Sequence, residues 1–206
     1  MQRFLALIMA LILSVSVLAG CGNKEKDTEK ANQGAIQSLK TMGDLASLER
    51  EEEQSSVGNG KAVFAFKYGG TYYRVTADLT EETEKEYIDV DILEEGYEEK
   101  QREILAPVEI TKIEDLSEQI LPQEDLDALA GKTGKELVDE GWTYSGSYNL
   151  EEMQVWMVNG PFEYTVVFDG NIDEENSDDF DIEKATKDMK VKSAEFNALG
   201  DAANVE

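Results

Sequence analysis

The stretch that most restricts the fold of this chain is 61–77. Two seven-residue runs, Ala62-Val63-Phe64-Ala65-Phe66-Lys67-Tyr68 and Thr71-Tyr72-Tyr73-Arg74-Val75-Thr76-Ala77, are rich in β-branched and aromatic residues and meet across Gly69-Gly70. Two adjacent glycines reach the positive φ that a two-residue hairpin turn requires. A loop of that length opposes Phe66 to Tyr73 and Phe64 to Val75. Side chains alternate along a strand, so those four share one face, the expected core face. Lys67, Tyr72, Arg74 and Thr76 fall on the other. Tyr72 and Arg74 are candidates for a binding surface; their other use is cross-strand packing on a half-exposed sheet.

Downstream, Ile88, Val90 and Ile92 alternate with Asp89 and Asp91 and predict a strand, followed by a turn at 94–97. Residues 104–113 are largely β-prone, with Pro107 marking an edge or a late start. Residues 61–113 therefore read as an antiparallel unit. Helical signals follow. Pro122 suits the first position of a helix over 123–130, and Thr133 with Glu136 has capping-box spacing for a second helix closed by Gly141. Trp142 to Tyr148 predicts an aromatic strand, and Met153–Val158 with Phe162–Phe168 a second hairpin around Asn159-Gly160. Pro161 has no N–H to donate, so a loop longer than two residues is expected there. Trp142, Tyr144 and Tyr148 suit either core packing or stacking. Trp156 falls on the face opposite Val155 and Met157, which makes it a candidate contact residue. The order predicts an α+β fold, a small domain of antiparallel β-hairpins with short helices between them. The shared pattern of the two hairpins is consistent with a diverged duplication.

Acidity narrows the function. Against 19 Lys and Arg stand 45 Asp and Glu, a net charge of -26. That charge is strongly unfavourable for a DNA or RNA binder, which must neutralise phosphates, so no nucleic-acid partner is expected. There is no His, which removes Ser-His-acid and Cys-His catalysis and His-bearing zinc sites. Carboxylate-based hydrolysis remains open in principle, and whether the chain is an enzyme is not decided by its sequence; the balance is against it. One stretch has metal-like spacing: Asp169, Asn171 and Asp173 alternate like the first ligands of a calcium loop. Glu174 then stands where a glycine belongs, and Phe180 where the bidentate Glu belongs. The stretch thus reads as a solvated acidic loop, with a non-standard calcium site as the alternative. Gly131-Lys132-Thr133 lacks the earlier glycine of a phosphate-binding loop.

The N-terminus carries the most specific motif. Arg3 precedes an apolar run from Phe4 to Ala19, and Leu18-Ala19-Gly20-Cys21 closes it. This closely resembles the lipobox of bacterial lipoproteins. The resemblance implies cleavage before Cys21, a diacylglycerol on its thiol and an acyl chain, such as palmitate, on the new amine. Cys21 is the only cysteine, so it has no disulfide partner within the chain. Residues 1–20 are then a signal peptide, 21–60 a lipid-anchored polar tether, 61–168 the globular domain, and 169–206 an acidic loop and tail with room for a short helix. Within the tether, Ile36, Leu39, Met42 and Leu45 have helical spacing, so a helix on the domain is the rival reading. The expected function is a lipid-anchored, outward-facing binding or structural protein of a bacterial cell membrane, taking a protein, peptide or glycan. The alternative is a carboxylate-based or calcium-assisted extracytoplasmic hydrolase.

Overall fold

The computed structural model describes residues 24–149, 152–170 and 181–200; the expectations for Cys21, Asn171, Asp173 and the last six residues lie outside this range. The fold is α+β, with two four-stranded antiparallel sheets, each in simple sequence order. The first half runs α1 (Lys24–Gln37), α2 (Met42–Ala46), β1 (Glu51–Gly58), β2 (Lys61–Tyr68), β3 (Thr71–Asp78), α3 (Glu81–Ile88), α4 (Tyr97–Leu105) and β4 (Ile110–Asp115). A 3-10 turn, Ser117–Gln119, leads to the second half: α5 (Gln123–Asp127), α6 (Gly134–Asp139), β5 (Thr143–Asn149), β6 (Gln154–Asn159), β7 (Phe162–Asp169), α7 (Ile182–Thr186) and β8 (Lys190–Leu199).

The two halves repeat one plan. Each has a capped short helix, a three-strand meander, a helical excursion and a fourth strand returning beside the third. Thr41 and Thr133 are the N-caps of α2 and α6, each in a complete capping box, with Asp44 and Glu136 as the reciprocal acids. Leu45 and Leu137 are buried one residue later. The backbone anchors also correspond. Met42 N–H donates to the Val108 carbonyl at 2.9 Å, and Gly134 N–H to that of Met189 at 3.2 Å. Gly43 donates to Ala106 and Lys135 to Lys187, both at 3.0 Å. Ile110 donates to Lys40 at 2.8 Å and Val191 to Lys132 at 2.7 Å. In each half the returning strand is thus tied to the segment entering the capped helix.

The first hairpin has the expected register: Phe66 opposes Tyr73, and Phe64 opposes Val75. Ala62, Phe66, Tyr73, Val75 and Ala77 bury one face against Ile36, Met42, Leu45 and Leu105. The opposite face is covered as well. Val63, Ala65 and Tyr72 join the core of the second half, with Phe162, Tyr164, Leu126 and Leu137. The centre of the first sheet is therefore covered on both faces at Val63, Ala65 and Tyr72, which the expected half-exposed sheet did not include, while Lys67, Arg74 and Thr76 on that second face stay half-buried.

Five expectations are corrected. Residues 81–88 form α3 and not a strand over 88–92. Thr80 caps the helix, three acids lie in its first turn where the helix dipole favours them, and the apolar alternation straddles its end. Ile104 belongs to α4, which stops just before Pro107, and not to a strand; β4 starts only at Ile110 and lies at the sheet edge, in keeping with the edge or late start that Pro107 marks. The second hairpin does have a two-residue loop, shifted by one residue. Asn159 opposes Phe162, so Gly160 (φ 58°) and Pro161 form the turn, where the missing N–H is not required by the ladder. Within 21–60, β1 pairs with β2 through the turn Asn59-Gly60, both at positive φ, and Ile36, Met42 and Leu45 are core residues. Strand β8 likewise occupies much of the expected acidic tail.

Candidate binding surface

The candidates drawn from sequence do not converge. Tyr72 is 4 % exposed. Its ring meets Phe162 and Phe196 edge-on at 5.3 and 5.8 Å, and its hydroxyl donates to Glu52 at 3.0 Å. Burial and the neighbouring Glu52 carboxylate push its pKa up. Lys67 lies 5.3 Å from the ring centroid and pairs with Glu52 at 3.2 Å. Tyr72 is thus a joint between the two halves. Arg74, from the same face, donates to Glu114 across β3–β4 at 3.0 Å, and Arg74 with Lys112 holds that carboxyl below its usual range. Trp156 does sit opposite the buried Val155 and Met157, half-buried, with its ring over Gly146. Asp169 ends β7 opposite Lys190 and is exposed.

A different element carries an open groove. The excursion between β3 and β4 carries α3, a turn and α4, and these enclose an open groove of about 1020 Å³. Val90, Ile104 and Pro107 give the groove apolar lining. Glu82, Glu86, Asp89, Asp91, Glu94 and Glu103 surround it, against two ammonium groups, Lys85 and Lys100. Lys100 is already paired with Glu94 at 2.7 Å. The large apolar side chains left exposed among the described residues all fall in the same turn region: Ile88 at 59 %, Ile92 at 66 % and Leu93 at 90 %. The excursion is fixed at both ends. Glu84 accepts from Gly60 N–H at the β1–β2 turn at 2.8 Å, and Leu105 is buried in the first core. Tyr87 packs against that core, and burial raises its pKa.

Sequence reasoning missed this surface because it read 88–92 as a strand with one buried face. The usable signal was the dense acid after Thr80, which is a helix start, followed by apolar residues that no opposing strand covers.

The displaced carboxyls elsewhere, Asp44, Glu114 and Glu136, are all held low by hydrogen bonds. A general acid requires the opposite displacement. Among the described residues no group of three or more acidic or thiol ligands is placed to hold a metal ion, and no described helix is long and apolar enough to cross a membrane. No known family model matches this chain, and no curated protein or solved structure is significantly similar to it.

Proposed function

We propose that this chain is a lipid-anchored binding protein, held by Cys21 on the outward side of a bacterial cell membrane, and that the α3–α4 excursion is its binding element. The observation that carries the binding role is the exposure of Ile88, Ile92 and Leu93, the large apolar side chains left exposed among the described residues. Grouped exposed apolar side chains rimmed by polar residues mark interaction sites. The anchor rests on the Leu18-Ala19-Gly20-Cys21 motif, and acylation there would add roughly 0.8 kcal/mol per buried methylene. The acidic body would be repelled by anionic lipid and stand off the surface. Nucleic acid is not a ligand on this reading, and no bound cofactor is invoked.

The anchor is tested by expressing the full chain and its Cys21→Ala variant in a bacterium that processes lipoproteins. Detergent-phase partitioning of the wild type, aqueous partitioning of the variant, and an N-terminal peptide carrying acyl mass at Cys21 are expected. An unmodified thiol on an intact precursor would reject it.

A further inference from the structure

We infer that the α3–α4 groove takes a cationic, amphipathic peptide segment of a partner protein. The proposal deepens the binding role above and does not depend on the lipid anchor.

Three features single out this occupant. The first is charge. Six carboxylates face two ammonium groups around the groove, one of which is internally paired. A cationic segment entering it would find complementary potential and fast electrostatically steered association. The second is the apolar component. Val90, Ile104 and Pro107 lie inside, with Ile88, Ile92 and Leu93 exposed in the same excursion. Acid alone would attract a simple cation; acid around apolar side chains selects a segment bearing both Lys or Arg and aliphatic residues, the pattern of helix-in-groove recognition. The third is the comparison of the two halves. From Asp78 to Ile110 the first half spends more chain than the second does from Asp169 to the equivalent Val191, and the added length falls in this helical excursion. In repeat architectures, insertions of this kind gather on one face, often the binding face.

The rival occupants have the wrong chemistry. A second copy would bring the same strongly negative chain against six carboxylates. An anionic bilayer would be repelled for the same reason. The helices lining the groove have eight and nine residues, so at 1.5 Å per residue they would flank a partner segment of roughly two to three turns.

The probe is a synthetic amphipathic peptide of Lys and Leu, titrated into the full-length protein in detergent micelles and followed by calorimetry and hydrogen exchange. Saturable one-to-one binding, with protection confined to residues 81–107, is expected. Ile92→Ser with Leu93→Ser should weaken binding at least fivefold while leaving Tm unchanged. Glu86→Gln, Asp89→Asn and Glu103→Gln together should weaken it at least tenfold. The same charge change on the α5 side, Glu118→Gln, Glu124→Gln and Asp125→Asn, should cost less than twofold. Equal losses from the two charge sets, or no loss from the apolar pair, would mean attraction to overall charge and overturn the proposal. So would protection elsewhere, or sedimentation showing that Ile92 and Leu93 are buried in a dimer. A chain that binds the peptide yet lacks acyl mass at Cys21 would refute the anchor and leave the groove assignment standing.

Discussion

Tyr72 joins interactions that separate substitutions can take apart. Its ring fills the space between the first sheet and the aromatic pair Phe162 and Phe196, while its hydroxyl reaches the half-exposed Glu52. Tyr72→Phe keeps the ring and loses the hydrogen bond, so unfolding free energy should fall by about 1–2 kcal/mol. Tyr72→Ala removes the ring from a fully covered site and should cost about 3–5 kcal/mol, the range for deleting a buried aromatic. Urea denaturation measures both. If the Ala variant loses no more than the Phe variant, the ring is not a core residue. Arg74 contrasts with it two residues away. Its ion pair with Glu114 is partly solvated, and Arg74→Ala should act mainly through lost packing of its stem.

The elements most firmly specified are the two capped helices, and their caps titrate. Thr41 and Lys40 N–H groups donate to Asp44 at 2.9 and 3.0 Å. Thr133 donates to Glu136 through its N–H at 2.7 Å and its hydroxyl at 2.9 Å. These bonds, led in each case by the backbone N–H of the capping threonine, hold both carboxyls below their ordinary range. A carboxyl depressed in the folded state adds stability above its unfolded pKa, roughly 3.9 for Asp and 4.3 for Glu, and that contribution disappears as pH falls through the folded value. The Tm gap between wild type and the double variant Asp44→Asn, Glu136→Gln should therefore be constant above about pH 5 and narrow steadily below about pH 4. A gap unchanged down to pH 3 would refute the account. The Thr133–Glu136 box was legible in the sequence because four residues carry the whole signal. So was the 61–77 hairpin, whose glycine turn and alternation agree. Asn59-Gly60 carries the same kind of turn signal, but the polar residues of β1 concealed the strand before it. β1 is an edge strand with only its later residues partly covered, so no apolar alternation marks it. The burial of Tyr72 was not legible at all. It depends on a second core drawn from residues about a hundred positions later, and no local pattern records that distance. The groove was hidden for a related reason: a half-apolar alternation has the same appearance whether another layer covers it or solvent does.

At the scale of the whole molecule, the repeated plan could give two independent units or one cooperative one, and the contacts between halves decide. The second core takes Val63, Ala65 and Tyr72 from the first sheet. The Tyr72 N–H donates to the Ser117 hydroxyl at 3.1 Å, and Gln54 of β1 donates its side-chain amide to the Leu199 carbonyl of β8 at 2.8 Å. Leu121 N–H donates to the Tyr164 hydroxyl at 3.1 Å, which fixes the linking segment to the second sheet. Unfolding the first half alone would expose the apolar face of the second, at roughly 25 cal/mol per Å² of apolar surface, so neither half should melt alone. The chain supplies its own test, because Trp142 and Trp156, its two tryptophans, both belong to the second half. Tryptophan fluorescence therefore reports that half, and far-ultraviolet circular dichroism reports both. In the wild type the two urea transitions should coincide, as a two-state chain requires. In Tyr72→Ala, where the shared core loses its joint, the dichroism transition should begin at lower urea than the fluorescence transition. Transitions already separated in the wild type would show that the two halves share a plan without sharing stability.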